Sequence, residues 1–260
     1  MSTKLNIKES IFVGDYKLKL KIMSRVTNIV FTLFFALLST NIIFAQEDVN
    51  VDDIVKETQV AMGGVTNYNN TKFIQWDFGK RKLFWNKWTG DVRVENPEDN
   101  QTIFVNVNTL KGKVYENGEL VNDDKKATAL LKKAKNWWIN DSYWLVMPWK
   151  LQDPGVKLKY LKTEQLPDGH TADVLEMSFS AVGVTPENKY WVYVDQKEQL
   201  IKQWSYFKSF GDTEPKFTLM WDNYQKAGNV LLSFDRSKGA GGPRNVVVAS
   251  EFDPAIFTKL

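Results

Sequence analysis

Residues 123–153 (DDKKATALLKKAKNWWINDSYWLVMPWKLQD) are the one long stretch of helical periodicity in a chain that otherwise alternates in short segments. Leu130, Leu131 and Ala134 fall at three-to-four spacing with Ala127. Lys125, Lys126, Lys132, Lys133 and Lys135 take the positions between, which gives an apolar stripe and a solvated face. Asp123 and Asp124 stand where acids cap the first N–H groups and favour the helix dipole. Asn140-Asp141-Ser142 reads as a break and a second cap. Tyr143–Met147 then reads as a short helical turn that stops near Pro148. The stretch holds four of the ten tryptophans: Trp137, Trp138, Trp144 and Trp149. These rings either anchor the helix on a sheet or form an adaptable cover over an apolar cavity.

On both sides the pattern is strand. A first helix is expected over Asp48–Met62, capped by Asn50 or Asp52 and ended by Gly63-Gly64 in a left-handed turn. Alternating segments follow at 72–78, 81–88, 91–95, 102–107 and 113–116, with turns at Gly79-Lys80, Thr89-Gly90-Asp91, Asn96-Pro97 and Asn117-Gly118. Beyond the helical insertion the strands are 156–161, 172–179, 189–195, 199–207, 216–221, 229–234 and 245–251. None is joined to the next by a crossover helix, so the class is α+β with an antiparallel sheet and helices on one face.

The N-terminus has a different character. Ile29–Ala45 (IVFTLFFALLSTNIIFA) is apolar and follows Arg25, and its unbroken core is short for a membrane span, which needs about 20 apolar residues. It reads as a cleavable export signal, with Met23 as an alternative start and an uncleaved anchor as the competing reading. Residues 1–45 are then a lead and signal, and residues 46–260 a single domain. The lead holds six Lys/Arg and two Asp/Glu; of the chain's 34 and 31 this leaves 28 and 29, a net charge of about −1. The basicity belongs to export, and charge gives no case for a nucleic-acid partner. The absence of cysteine excludes disulfides, thiolate metal sites and a lipidated N-terminal cysteine.

Little in the sequence points to catalysis. His170 is the only histidine, and it sits beside the Pro167-Asp168-Gly169 turn, where an exposed loop residue is expected. No nucleophile elbow accompanies it, and multi-histidine zinc is excluded. The acid pairs Asp52-Asp53, Glu98-Asp99 and Asp123-Asp124 fall at helix starts and turns. A pair of catalytic carboxylates from separate strands stays open as a reading. The Gly239–Pro243 run lacks the Lys-Ser/Thr of a phosphate loop.

The aromatics remain. Trp76, Phe78, Trp85, Phe104, Trp191, Tyr193 and Trp204 lie on strands, and Trp144, Met147 and Trp149 in the insertion. They pack a core, line a concave apolar site, or stack on sugar rings. The segments YWLVMPWKLQDPGVKLKY, VLEMSFSAVGVTP, KYWVYVD and QLIKQW resemble a group of uncharacterised exported proteins of Gram-negative envelopes. That group is itself similar to the outer-membrane lipoprotein-sorting carriers of the Lol type. The resemblance implies a half-open antiparallel barrel of about eleven strands with helices over its concave face, sheltering lipid or acyl chains, including those of a lipoprotein. The expected protein is a periplasmic or secreted monomer with no cofactor and no catalysis, and no permanent membrane span once the signal is removed. Trp144, Met147 and Trp149 would belong to the cover, and strand aromatics such as Trp76, Trp191 and Trp204 to the lining. Arg81 and Arg93 are candidates, by location, for the carriers' functional arginine. The competing reading is an envelope module that binds glycan or protein through exposed aromatics.

Overall fold

The computed structural model describes residues 49–180, 185–236 and 241–260. The export-signal reading of 1–45 and the first part of the Gly239–Pro243 run lie outside these residues.

Fourteen strands and three α-helices form the described fold. Helix α1 (Val51–Ala61) starts at Asn50, whose side chain accepts from the Asp52 amide at 3.0 Å. It ends where Gly63 and Gly64 turn the chain at positive φ. A short helix α2 (Val65–Asn70), not apparent in the sequence pattern, follows directly.

Strands β1 (Phe73–Phe78), β2 (Arg81–Asn86), β3 (Asp91–Asn96), β4 (Gln101–Asn106), β5 (Gly112–Glu116) and β6 (Glu119–Leu120) form an antiparallel meander. Its far edge is completed by β14 (Arg244–Ala249), which pairs with β1 rather than with its neighbour in sequence. A second sheet orders β11 (Phe217–Met220), β10 (Ile201–Phe207), β9 (Lys189–Asp195), β8 (Thr171–Phe179) and β7 (Val156–Gln165). Between them β12 (Asp222–Ala227) and β13 (Val230–Asp235) form a ribbon, and β12 touches both β10 and β14. The sheets are open and antiparallel, as the class reading requires. The strand count exceeds the expected eleven, and β6 and β12 have no counterpart among the segments read from the sequence. The second sheet gives way to the ribbon at Trp221, which is buried as the chain leaves β11.

Helix α3 is a single helix, Asp124–Val146, of 23 residues. The expected break at Asn140-Asp141-Ser142 does not occur. Leu131, Ala134, Asp141, Ser142 and Leu145 form one continuous buried stripe. The Asp141 carboxylate takes two bonds from Arg81, at 2.7 and 2.9 Å, instead of capping backbone N–H groups. A 3-10 turn, Met147–Lys150, then carries the chain to the second sheet.

Two main cores result. The first joins the inner face of β1–β5 and the ribbon to the middle of α3, through Trp76, Leu83, Trp85, Ile103, Val105, Leu131 and Ala134. The second joins α1 (Ile54, Val55) and Met147 to the inner face of β8–β10. On the outer face of the first sheet, Phe84, Arg93, Phe104 and Lys113 stand in register across four strands. The C-terminal segment covers part of that face: Phe252 stacks on Phe73 at 4.9 Å, and Arg93 donates to the carbonyls of Ile256 and Lys259.

Candidate functional site

The last turns of α3 meet the inner face of the second sheet in a wall of aromatic rings. Alternation along β9 turns Tyr190, Val192 and Val194 inward, and along β10 it turns Trp204 and Tyr206 inward. From the sheet edge inward, Phe217 lies 5.1 Å from Tyr206, Tyr206 lies 5.6 Å from Tyr190, and Tyr190 stacks on Trp204 at 4.9 Å. Trp204 meets Trp144 of α3 at 4.8 Å, and Trp144 runs parallel to Trp221 at 6.5 Å. Phe217 is 41% exposed, while Trp204 and Trp221 are buried. Tyr143 and Phe179 flank the path beside Tyr190. Burial raises the pKa of the Tyr143 phenol well above its ordinary value and that of Tyr190 above it, so both stay neutral.

At the inner end of the wall stands a charge. Arg236 is 1% exposed, and its guanidinium carbon lies 3.4 Å from the Trp221 ring centre. Nη1 donates to Ser233 Oγ and to the Asp235 carbonyl, both at 2.7 Å; Nη2 donates to the carbonyl of Trp144. Burial pushes its pKa down to about 9, against the opposing pull of Tyr224 and Asp235. It is still a cation at neutral pH. Among the described residues it forms no ion pair with a carboxylate, and its Nε has no partner. Buried charges are ordinarily paired, because desolvating a lone ion is costly. The indole N–H groups of Trp204 and Trp221 are also buried without an acceptor. All three partnerless polar atoms in this cluster are donors.

The residues anticipated from sequence divide into three groups. Trp144, Met147 and Trp204 belong to this wall or to the core directly behind it, and Phe78 reaches it, 5.9 Å from Trp144. Trp76, Trp85 and Trp149 belong to the first core instead. Trp85 packs edge-on to Trp138, and Trp149 stacks on Tyr68 at 4.7 Å. Phe104, Trp191 and Tyr193 point to the opposite faces of their sheets. Phe104 lines a cleft of about 180 Å3 with Lys111, Lys113 and Phe257. Tyr193 sits in a small outer cluster with Leu166, Ala172 and Val174, against which Trp191 packs. Neither arginine named from sequence faces the wall: Arg81 pairs with Asp141, and Arg93 holds the C-terminal segment. Alternation of β10 puts Tyr206 on the face of Trp204, as the structure has it, whereas no local signal marks Arg236 or Tyr190.

His170 is more constrained than a free loop residue. Its Nδ1 lies 2.5 Å from Oδ2 of the buried Asp195. Burial works against the charge of Asp195, but N–H bonds from Glu198 and Lys197 and the imidazole of His170 outweigh it and hold the pKa below the ordinary carboxylate value. No hydroxyl or amine side chain bonds to the imidazole among the described residues, so the pair clips two turns together. Among those residues no group of three metal-ligating side chains occurs. No helix among them is long and apolar enough to cross a membrane.

No protein-family model matches the chain, and no curated protein matches it. Among solved structures, the crystal structure of a DUF1329 family protein from Desulfovibrio piger is similar at a TM-score of 0.41 and 11% identity, over 80% of this chain and 97% of that one.

Proposed function

We propose that this chain is an exported binding protein that shelters an apolar, lipid-like ligand against the aromatic wall and performs no chemistry on it. One observation carries the reading: the rings run in unbroken contact from the exposed Phe217 to the buried Trp221. A continuous aromatic surface, exposed at Phe217 and buried at Trp221, suits an extended acyl chain. The likeness of the Tyr143–Trp149 and Lys189–Asp195 segments to exported proteins akin to lipoprotein-sorting carriers points the same way. Lipid or lipoprotein traffic in a Gram-negative envelope is the corresponding role, and the apolar run at 29–45 supports export.

The experiment is native mass spectrometry of the protein purified from its own periplasm, with lipid analysis of an organic extract. A bound acyl chain, lost in Phe217→Ala or Trp144→Ala protein that still folds, supports the reading. A clean unliganded mass with no uptake of a fluorescent fatty acid sinks it.

A second reading rests on Trp88, which is 61% exposed with the Lys72 ammonium 5.3 Å above its ring. An exposed indole of this kind suits a glycan or a protein surface. Loss of glycan-array or pull-down signal in Trp88→Ala, with lipid uptake absent throughout, would favour it.

A further inference from the structure

The proposed ligand is apolar, yet the wall it would follow ends on a cation. Arg236 is buried, bears on the face of Trp221, and among the described residues is paired with no carboxylate. Its neighbours offer it only neutral acceptors: the Ser233 hydroxyl and the carbonyls of Trp144, Ser233 and Asp235. The Asp235 carboxylate, next in the chain, favours the cation through its field without forming an ion pair with it. Nε is left over, as is the indole N–H of Trp221, the ring it lies over. A buried donor left unmatched loses its hydration without compensation. A site with surplus positive charge and surplus donors is complementary to a group that is anionic and accepts only.

Resting on the lipid-binding reading, we propose that the ligand is a single-chain amphiphile with a carboxylate head. The head meets Arg236 and the N–H of the Trp221 indole beneath it, and the chain lies past Trp144 and Trp204 along Tyr190 and Tyr206 toward Phe217. A carboxylate fits better than a neutral ester or alcohol because an ionised acceptor roughly doubles the strength of each hydrogen bond and is the natural partner of a guanidinium. The aromatic path sets the direction, since its only strongly exposed ring, Phe217, is at the end away from the charge.

The test compares hexadecanoic acid, 1-hexadecanol and methyl hexadecanoate, equal in chain length, by displacement of a fluorescent probe from the wild-type protein at pH 7.5. The acid is expected to bind at least about tenfold tighter than the alcohol and the ester, as charge-assisted recognition at a buried site requires. In Arg236→Gln the acid should fall to the level of the alcohol, and in Arg236→Lys part of the preference should persist. Equal affinities in wild type, or a preference for the acid that survives in folded Arg236→Gln, overturn the proposal while leaving the apolar-ligand reading intact. Binding of none of the three overturns both. A measurement without variants guards against misfolding. A photoreactive group next to the carboxylate should label Trp144, Tyr224 or Ser233, and one at the chain's far end should label Tyr206 or Phe217. The reversed labelling pattern overturns the orientation and with it the role of Arg236.

Discussion

The Arg236 guanidinium lies over the Trp221 ring at 3.4 Å and donates to the backbone carbonyl of Trp144, so one side chain joins the end of β13 to the end of α3 across 92 residues of sequence. Desolvated cation–π contacts are worth about 2 kcal/mol or more, and hydrogen bonds from a charged donor about 1.5–3. The same side chain is therefore both a structural joint and the charged end of the aromatic wall.

Arg236→Ala is expected to lower unfolding free energy by about 3 kcal/mol, because it removes the ring contact and leaves the Trp144 carbonyl without this donor. Arg236→Met, which refills the space without a charge, is expected to cost less. Urea titrations of the two variants against wild type measure the difference. An equal or larger loss for Met would show that the cation itself, rather than its volume, holds the joint.

Arg81 and Asp141 form the bidentate link between β2 and α3, and the carboxylate is fully buried. Removing Arg81 strands that charge, so Arg81→Ala should cost about 3–5 kcal/mol. The double variant Arg81→Ala/Asp141→Ala should be less destabilised than the sum of the single changes. A double-mutant cycle with no coupling would contradict the pairing.

Gly112 faces the backbone of β4 so closely that a Cβ would run into the Phe104 carbonyl. Its φ is not positive, so close approach rather than backbone freedom requires glycine there. Gly112→Ala should cost about 1–3 kcal/mol or more by forcing β4 and β5 apart. Gly118→Ala offers a contrast: open space surrounds it, but its φ of +82° makes the Asn117-Gly118 turn resist a side chain. Thermal melts of both should show loss, and only Gly112→Ala should speed amide exchange along β4–β5.

Asp195 contributes stability through its ionised form. Its folded pKa is depressed, so that contribution is complete above the unfolded carboxylate value of about 4 and is lost as pH falls through the lower folded value. Asp195→Asn should therefore be less stable than wild type at pH 7, with the gap narrowing below pH 4. Urea midpoints at pH 7, 4 and 2.5 measure this. A gap that stays constant across the series would refute the linkage.

The legible and illegible parts of this molecule differ for identifiable reasons. The α1 stop at Gly63-Gly64 and most strands were readable because turn chemistry and alternation are local. The inner and outer faces of β9 were not. Tyr190-Trp191-Val192-Tyr193-Val194 is apolar on both faces, so alternation names two sets without saying which is inward, and a one-residue slip exchanges them. Trp191 and Tyr193 were assigned inward on that ambiguity, and the structure places Tyr190 and Val192 there. The break expected at Asn140–Ser142 failed for a related reason. Polar residues at the core side of a helix read as a cap until Arg81, 60 positions earlier, is seen to bond Asp141.

By itself the sequence determined the α+β class, the antiparallel wiring and the long aromatic helix between two blocks of strands, because each follows from spacing within a few residues. Only the tertiary structure decided which aromatics share a wall, that Arg236 ends it, and that β14 closes onto β1. These depend on contacts between residues far apart in the chain, and neither the burial of one arginine nor its lack of a carboxylate partner among the described residues leaves any mark on local pattern.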